Sequence, residues 1–392
     1  KEIFDLRVLY ITDPGVVGGA TRALIEMTYE LKKIGVEPVV CTSSYSELND
    51  ILNGMKIENY AIGHMSAMNT KSPYKWKRPI KYPYECLKYY LSIPKAIKNI
   101  KKNIDIKSID IIHTNSARND IGCILNRMYN VPHIMHIREF GYEDFDCCTY
   151  RYKYNKYISK YTNRFLAISK AVAKSWISRG VTKEKVQILY DGVDIHSIKI
   201  KNNYNNDNKL KMIIAGGVCE AKGQYYAIEA LSYLPEQIKK NVYLDIAGWD
   251  DPKYLKKLEK LIKECELESQ VKFLGARNDL YEIYKEYDVG LTCSRAEGFG
   301  RVTAEYMYAG LCVIGSNTGA TPELIEDNKD GLIYDYQNIH ELARCIERIY
   351  NDRELLRCLS ENGKKSAIKF SSTRNAKEIY EVYLEILNEE NK

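Results

Sequence analysis

Ser294–Glu305, SRAEGFGRVTAE, is the stretch from which the rest of the chain can be understood. Val289–Cys293 (VGLTC), just before it, is a short apolar run suited to a buried parallel strand. After the two glycines flanking Phe299, Val302–Ala309 has helical spacing. The sequence therefore predicts a strand, a Gly-rich loop and a helix. In that order the amides of Phe299, Gly300 and Arg301 stand at a helix N-terminus, where unpaired N–H groups and the dipole attract an anion. Glu297 enters the loop and Glu305 lies on the first turns of the helix. Two carboxylates beside an anion are electrostatically costly, so they are better aimed at pairs of hydroxyls. A ligand with a diphosphate in the middle and a polyol at each end, such as a nucleotide sugar, satisfies the whole set.

The chain has 392 residues, of which 45% are hydrophobic, enough for two domains with separate cores. No apolar run approaches the roughly 18 residues of a membrane span. The opening KEIFDLRVLYI runs directly into a strand without the order of a signal peptide, so a cytoplasmic protein is expected. Eleven cysteines are scattered without CxxC or Cys/His spacing, which predicts neither a metal site nor a redox pair. They read as small buried hydrophobes in a reducing compartment. A net charge of +6 is modest and implies no nucleic-acid partner.

Strands and helices alternate along the chain in two series. In the first, RVLYI from Arg7 leads into a Gly-rich loop and an amphipathic helix, with Gly18 and Gly19 placed for close backbone approach to a ligand. Strands at IDIIH and PHIMHI end in polar clusters, HTNSARND and REF. The carboxyl ends of parallel strands are where open α/β sheets bind ligands. His113, Asn115, Ser116, His136, Arg138 and Glu139 are the resulting candidates, Asn115, Arg138 and Glu139 with His113 on an acceptor side. The polar stretch Lys199–Lys209 (KIKNNYNNDNK) predicts a linker. The second series begins with KMIIAG and a loop holding Gly216, Gly217, Lys222 and Gly223, with Lys222 near a helix N-terminus. It ends with an amphipathic helix over Ala376–Leu387. The expected fold is α/β, with two doubly wound Rossmann-like domains facing a cleft. The expected boundaries are 1–195, joined by a crossing helix at 372–392, and 209–371.

Two segments are unusually basic and rich in tyrosine. Residues 71–102 hold ten Lys/Arg against the single acid Glu85, and Arg151–Arg164 reads RYKYNKYISKYTNR. Basic helices with interleaved aromatics can lie on an anionic membrane surface. In a chain with 33 tyrosines, a merely solvated face explains them equally well.

The motifs GGATR, HTNS, HIREF, AISKAV, YDGVD, the glycine-and-KGQ loop, FLG, EGFGRVTAEYMYAG and TPELI occur in that order over nearly the whole length. Together they resemble the family 4 (group 1) retaining glycosyltransferases of the two-Rossmann-domain type, GT-B. The most specific of these marks is the pair of glutamates in EGFG and the helix after it. The resemblance implies transfer of a sugar from a UDP- or GDP-sugar, without an essential cofactor, to a glycan or lipid-linked saccharide acceptor. Cell-surface polysaccharide synthesis is the implied setting, at the inner face of the plasma membrane if the basic segments bind lipid. On this resemblance Glu297 holds the donor sugar, the amides of Gly298, Phe299 and Gly300 face sugar and β-phosphate, and Glu305 chelates the ribose diol. Lys222 neutralises the diphosphate, His136 stands near the reacting sugar, and Gly19 meets the diphosphate from the other domain. Gly18, Gly216 and Val302 complete the donor set.

The chain departs from the family pattern at three positions. Gly217 stands where an arginine is frequent, which leaves Lys222, with Arg301 or Arg277 as substitutes, to face the diphosphate. Cys312 replaces a common proline and Asp191 a common asparagine. Two other readings share the architecture: a nucleotide-sugar epimerase, and a non-catalytic nucleotide-sugar-binding subunit. A nicotinamide dehydrogenase is disfavoured, because no GxGxxG with a following acid succeeds the first strand.

Overall fold

The apolar run at the start of the chain forms β1 (Leu6–Thr12), whose side chains are buried alternately on two faces. Val8 and Tyr10 enter one hydrophobic cluster, Leu9 and Ile11 another. A strand with helices on both sides has no wet face, hence the nearly continuous apolar sequence. The structure, a computed structural model, describes residues 6–13, 18–71, 75–144, 146–204 and 208–390. Parts of the first Gly-rich loop (14–17), the first basic segment (72–74) and the Asn-rich stretch (205–207) lie outside the described residues.

Two compact units are present, Lys1–Gly192 with Ser372–Lys392, and Val193–Ser371. In the first, β1 is followed by β2 (Val36–Thr42), β3 (Glu58–Ala61), β4 (Met68–Thr70), β5 (Ile111–Thr114), β6 (His133–Ile137), β7 (Cys147–Thr149), β8 (Arg164–Ala167) and β9 (Val186–Ile188). Seven of these form a parallel sheet in the order β3-β2-β1-β5-β6-β8-β9, while β4 and β7 pair antiparallel outside it. The chain steps outward from β1 to β3, then returns to β1's other side with β5. That reversal sets a switch point between the carboxyl ends of β1 and β5. On one face the helix Gly19–Lys33 packs beside the C-terminal helix Ser372–Glu390 through Leu24, Met27, Leu31, Ile379, Val382 and Ile386. The helix Arg78–Asn103 buries Ile97 and Ile100 on the other.

The second unit repeats the plan with β10 (Leu210–Ala215), β11 (Val242–Ala247), β12 (Val271–Gly275), β13 (Val289–Thr292), β14 (Cys312–Ser316) and β15 (Leu332–Tyr334). Its parallel order, β12-β11-β10-β13-β14-β15, puts a switch point between β10 and β13.

The unit boundary falls at Gly192/Val193, ahead of the expected linker. The described part of the Asn-rich stretch packs into the second unit rather than spanning a gap. Lys201 is buried in an ion pair with Asp288 at 3.0 Å, and the Tyr204 hydroxyl donates to the carbonyl of Gly310 at 2.9 Å. Polarity suggested a spacer, but these side chains have partners. The C-terminal helix runs from Ser372, where the expected crossing helix begins, to Glu390, and so extends beyond the amphipathic stretch Ala376–Leu387 at both ends.

Candidate active site

In the second unit the loops after β10 and β13 emerge side by side at the switch point. They touch at Gly223, which has φ +71°; a Cβ there would lie 2.1 Å from the carbonyl oxygen of Cys293. The amide of Arg295 donates to the carbonyl of Ala221 at 2.9 Å, tying the loops again. This approach brings Lys222, on a single 3-10 turn, to Glu297, with Nζ 2.8 Å from Oε2. Gly216 and the buried Gln224 complete the β10 loop, Gln224 donating from Nε2 to the carbonyl of Gly217.

After β13 the loop runs through Glu297, Gly298 and the buried Phe299 to Gly300, which precedes the helix Arg301–Ala309. Among the described residues no side chain caps this helix, and a helix N-terminus has anion-binding character. Arg301 is buried at its start and Val302 is half-buried. Glu305, one turn in, is buried and accepts a hydrogen bond on each carboxylate oxygen, from Tyr281 at 3.2 Å and Tyr284 at 3.0 Å. A carboxylate has about four lone-pair sites, so room remains for a diol. Burial, with Glu305 beside it, pushes the Tyr284 hydroxyl well above its ordinary pKa, which keeps it a donor.

Arg277 is not gathered into this set. Its guanidinium is exposed and taken by Asp279, two residues on, with Nε donating to Oδ1 at 2.7 Å. As a substitute for the arginine absent at Gly217, it is held by a nearer carboxylate.

In the first unit, Gly18 caps the helix Gly19–Lys33 in an extended conformation. Gly19 is thus the first helical residue rather than part of the preceding loop, and both glycines are exposed. The strand-end candidates form a connected polar set. Arg138 donates to Asn115 Oδ1 at 2.8 Å, to Asp191 Oδ1 at 2.6 Å and to His136 Nδ1 at 3.3 Å. Ser116 donates to Glu139 Oε1 at 2.7 Å. Burial raises the Glu139 carboxyl to about 7. His113 is fully buried between Tyr10 and His136, and both its ring nitrogens are engaged, by Tyr383 and by His136, so it has no polar group left to offer an acceptor. Burial, and then the charge of Arg138, hold both histidines well below their ordinary pKa, hence neutral.

Residues 197–366 match the family described as Glycosyl transferases group 1, and residues 17–197 match Glycosyltransferase Family 4. The chain belongs to the group 1, family 4 glycosyltransferases. A relative of this glycosyltransferase is the UDP-Gal:alpha-D-GlcNAc-diphosphoundecaprenol alpha-1,3-galactosyltransferase of Escherichia coli. It is 24% identical over 329 residues, 75% of this chain and 83% of that protein. Another is the GalNAc-alpha-(1->4)-GalNAc-alpha-(1->3)-diNAcBac-PP-undecaprenol alpha-1,4-N-acetyl-D-galactosaminyltransferase of Campylobacter jejuni, 22% identical over 377 residues, 95% of this chain and 96% of that one. The solved structure of Anabaena HepE in complex with UDP shares the fold, with TM-score 0.77 and 20% identity over 96% of this chain and 99% of that one. Both units are Rossmann-like, as in GT-B enzymes.

Several residues that shape this glycosyltransferase's site escaped the sequence reading. The turn after β14 supports the Glu297 loop: Ser316 and Thr318 donate to the carbonyl of Ser294, and the amide of Ala320 donates to that of Glu297 at 2.8 Å. Gly319, at φ +57°, passes so close that a Cβ would stand 2.4 Å from the same oxygen. The glycine of NTGATPELI was a usable signal. Tyr281 and Tyr284 carried none, being two among many tyrosines, and Tyr383 looked like an ordinary apolar position on its helix.

Proposed function

We propose that this enzyme transfers a sugar, with retention, from a UDP- or GDP-sugar to a glycan or lipid-linked saccharide, as a step of cell-surface polysaccharide synthesis. The observation that carries this reading is the convergence of Lys222, Glu297, Glu305 and a helix N-terminus at one switch point. The E. coli and C. jejuni relatives, named for diphosphate-undecaprenol acceptors, and HepE with its bound UDP support the choice of substrates. The second unit holds the donor: Glu297 and the amides of Gly298, Phe299 and Gly300 take sugar and β-phosphate, Lys222 the diphosphate, Glu305 the ribose. Gly216, Arg301 and Val302 line the same loops. In the first unit Gly18 and Gly19 serve the diphosphate and His136 the reacting sugar, while Asn115, Arg138 and Glu139 set the acceptor side.

The difficult step is departure of a nucleoside diphosphate as an oxocarbenium-like sugar forms. Fixed donors aimed at the leaving phosphate lower that barrier, and loss of one such donor typically costs about 100- to 1000-fold in rate. Lys222 and the helix amides fill this role, and the proposal calls for no essential metal. The leaving phosphate takes the acceptor's proton on the same face, which retains configuration.

The test is a thermal-shift screen over UDP- and GDP-sugars, followed by transfer with the best donor and assignment of the product anomer. Retained configuration, with transfer reduced at least about tenfold in Glu297→Gln and more in Lys222→Ala, is expected. Epimerised nucleotide sugar without acceptor, or undiminished transfer in both variants, would overturn the proposal.

We further propose that the first basic segment docks on an anionic bilayer. Along the helix Arg78–Asn103 and the 3-10 turn before it, Trp76, Ile80, Tyr84, Leu87 and Leu91 recur at helical spacing and are 56–74% exposed. Lys77, Lys81, Lys88 and Lys95 are exposed beside them. An apolar stripe with cationic margins suits the lipid interface. Among the described residues no helix is long and apolar enough to cross a membrane. The segment Arg151–Arg164 adds its exposed lysines and one exposed aromatic, Tyr152. Arg151 pairs with the buried Asp120, and Tyr154 donates to the carbonyl of Ala117 at 2.7 Å. Co-sedimentation with anionic vesicles, weakened by salt and by Trp76→Ser with Leu87→Ser, is expected. Equal recovery with neutral vesicles would leave the segment a solvated face.

A further inference from the structure

A hydrogen-bonded chain in the first unit runs from the C-terminal helix to the candidate site. The hydroxyls of Tyr10 and Tyr383 are 2.9 Å apart, and the Tyr383 hydroxyl lies 2.6 Å from His113 Nδ1. His113 Nε2 is 3.2 Å from His136 Nδ1, with the two rings stacked at an interplanar angle of 24°. His136 Nε2 is buried and has no hydrogen-bond partner among the described residues. Each bond taken alone could run either way.

Arg138 removes the ambiguity. A guanidinium can only donate, and its Nη2 meets His136 Nδ1 at 3.3 Å, so that nitrogen accepts. A neutral imidazole with Nδ1 as acceptor carries its proton on Nε2. His113 Nε2 must then donate to the same Nδ1, which leaves His113 Nδ1 as an acceptor. Tyr383 donates to it and, its proton committed, accepts from Tyr10. Every donor in the chain is matched in one direction only, and the N–H left over is at His136 Nε2.

We propose that Arg138 and Tyr383, acting from opposite ends, hold His113 and His136 as neutral Nε2–H tautomers. His136 then meets a sugar oxygen of the substrate as a hydrogen-bond donor, and Tyr383 is a positioning residue. A base at this position would need the Nε2 lone pair that this tautomer does not have. The inference rests on reading His136 as a residue facing the substrate, but the tautomer can be measured without substrate.

The full chain, with 15N-labelled histidine and with His113→Gln and His136→Gln to assign signals, is expected to show both rings protonated at Nε2 alone. A proton on Nδ1 of either ring, or an imidazolium at neutral pH, would overturn the tautomer assignment. In kinetics, His136→Gln keeps an N–H donor and is expected within about tenfold of the parent kcat/KM, the scale of one altered hydrogen bond. A general base would instead cost about 100- to 10,000-fold in His136→Gln and His136→Ala alike. Equal activity of His136→Ala and the parent would overturn the substrate-facing role and leave the measured tautomer standing. Tyr383→Phe is expected to shift the imidazole signals of both histidines and to lower kcat about fivefold with donor KM unchanged. A lower melting temperature with unmoved signals and kcat would reduce Tyr383 to a packing role.

Discussion

Replacing Glu297 with glutamine should move two ligands in opposite directions. Lys222 Nζ sits 2.8 Å from Glu297 Oε2, with the two side chains 35% and 17% exposed. Unit charges about 4 Å apart attract by about 4 kcal/mol at an effective dielectric of about 20. Solvent and the ordering of a long side chain reduce what an exposed pair contributes to about 1 kcal/mol. A diphosphate that recruits Lys222 has to displace this carboxylate, and its binding is weakened by that amount. Glutamine removes the competing charge, so a free nucleoside diphosphate should bind Glu297→Gln about fivefold more tightly than the parent. The gain should shrink at high salt, where a part-exposed pair is screened. The sugar half loses instead: hydroxyls bound to a charged acceptor contribute about 1.5–3 kcal/mol, so kcat/KM for the nucleotide sugar should fall about 10- to 100-fold. Calorimetric titration of UDP and GDP at low and high salt, with transfer kinetics on the same preparations, measures both. A folded variant that binds the nucleoside diphosphate no better than the parent would refute the competition.

Three further outcomes follow from other contacts. The Glu139 carboxyl is raised by burial from 4.5 to about 7, so across that window the folded chain holds a proton the unfolded chain has released. Stability should therefore decline as pH rises from about 4.5 to 7 and then level off. Glu139→Gln should remove up to about 3 kcal/mol of that decline, visible as a smaller pH dependence of the melting temperature. Asp191→Ala leaves Arg138 buried without its 2.6 Å counter-charge and should destabilise the first unit by about 3–5 kcal/mol in denaturant unfolding, with soluble yield falling accordingly. Gly223→Ala needs a Cβ where the Cys293 carbonyl stands, at a backbone φ that costs roughly 1–3 kcal/mol without glycine. It should raise donor KM by displacing the loop that carries Lys222, while far-UV circular dichroism stays unchanged.

The fold was legible because its signals are local and repeated. Apolar runs of the β1 and β13 type, each followed by glycines and a helical period, determine strand, loop and helix without reference to distant residues. Glu297 and Glu305 were legible as a pair for the same reason, since one loop and the helix after it carry both. What could not be read was pairing across distance. His113 looked like one more strand-end polar residue, yet His113 and Tyr383 are 270 positions apart in sequence and share a 2.6 Å hydrogen bond. The Asn-rich stretch looked like a spacer because nothing local reveals that Lys201 meets Asp288. Asp191 is the instructive intermediate case. Its departure from the family's asparagine was visible in the sequence, but its reason is Arg138, a buried cation that a neutral amide could hydrogen-bond but not neutralise. The same arginine fixes the direction of the histidine chain. A single substitution at position 191 thus bears on stability and, through Arg138, on the proton presented by His136.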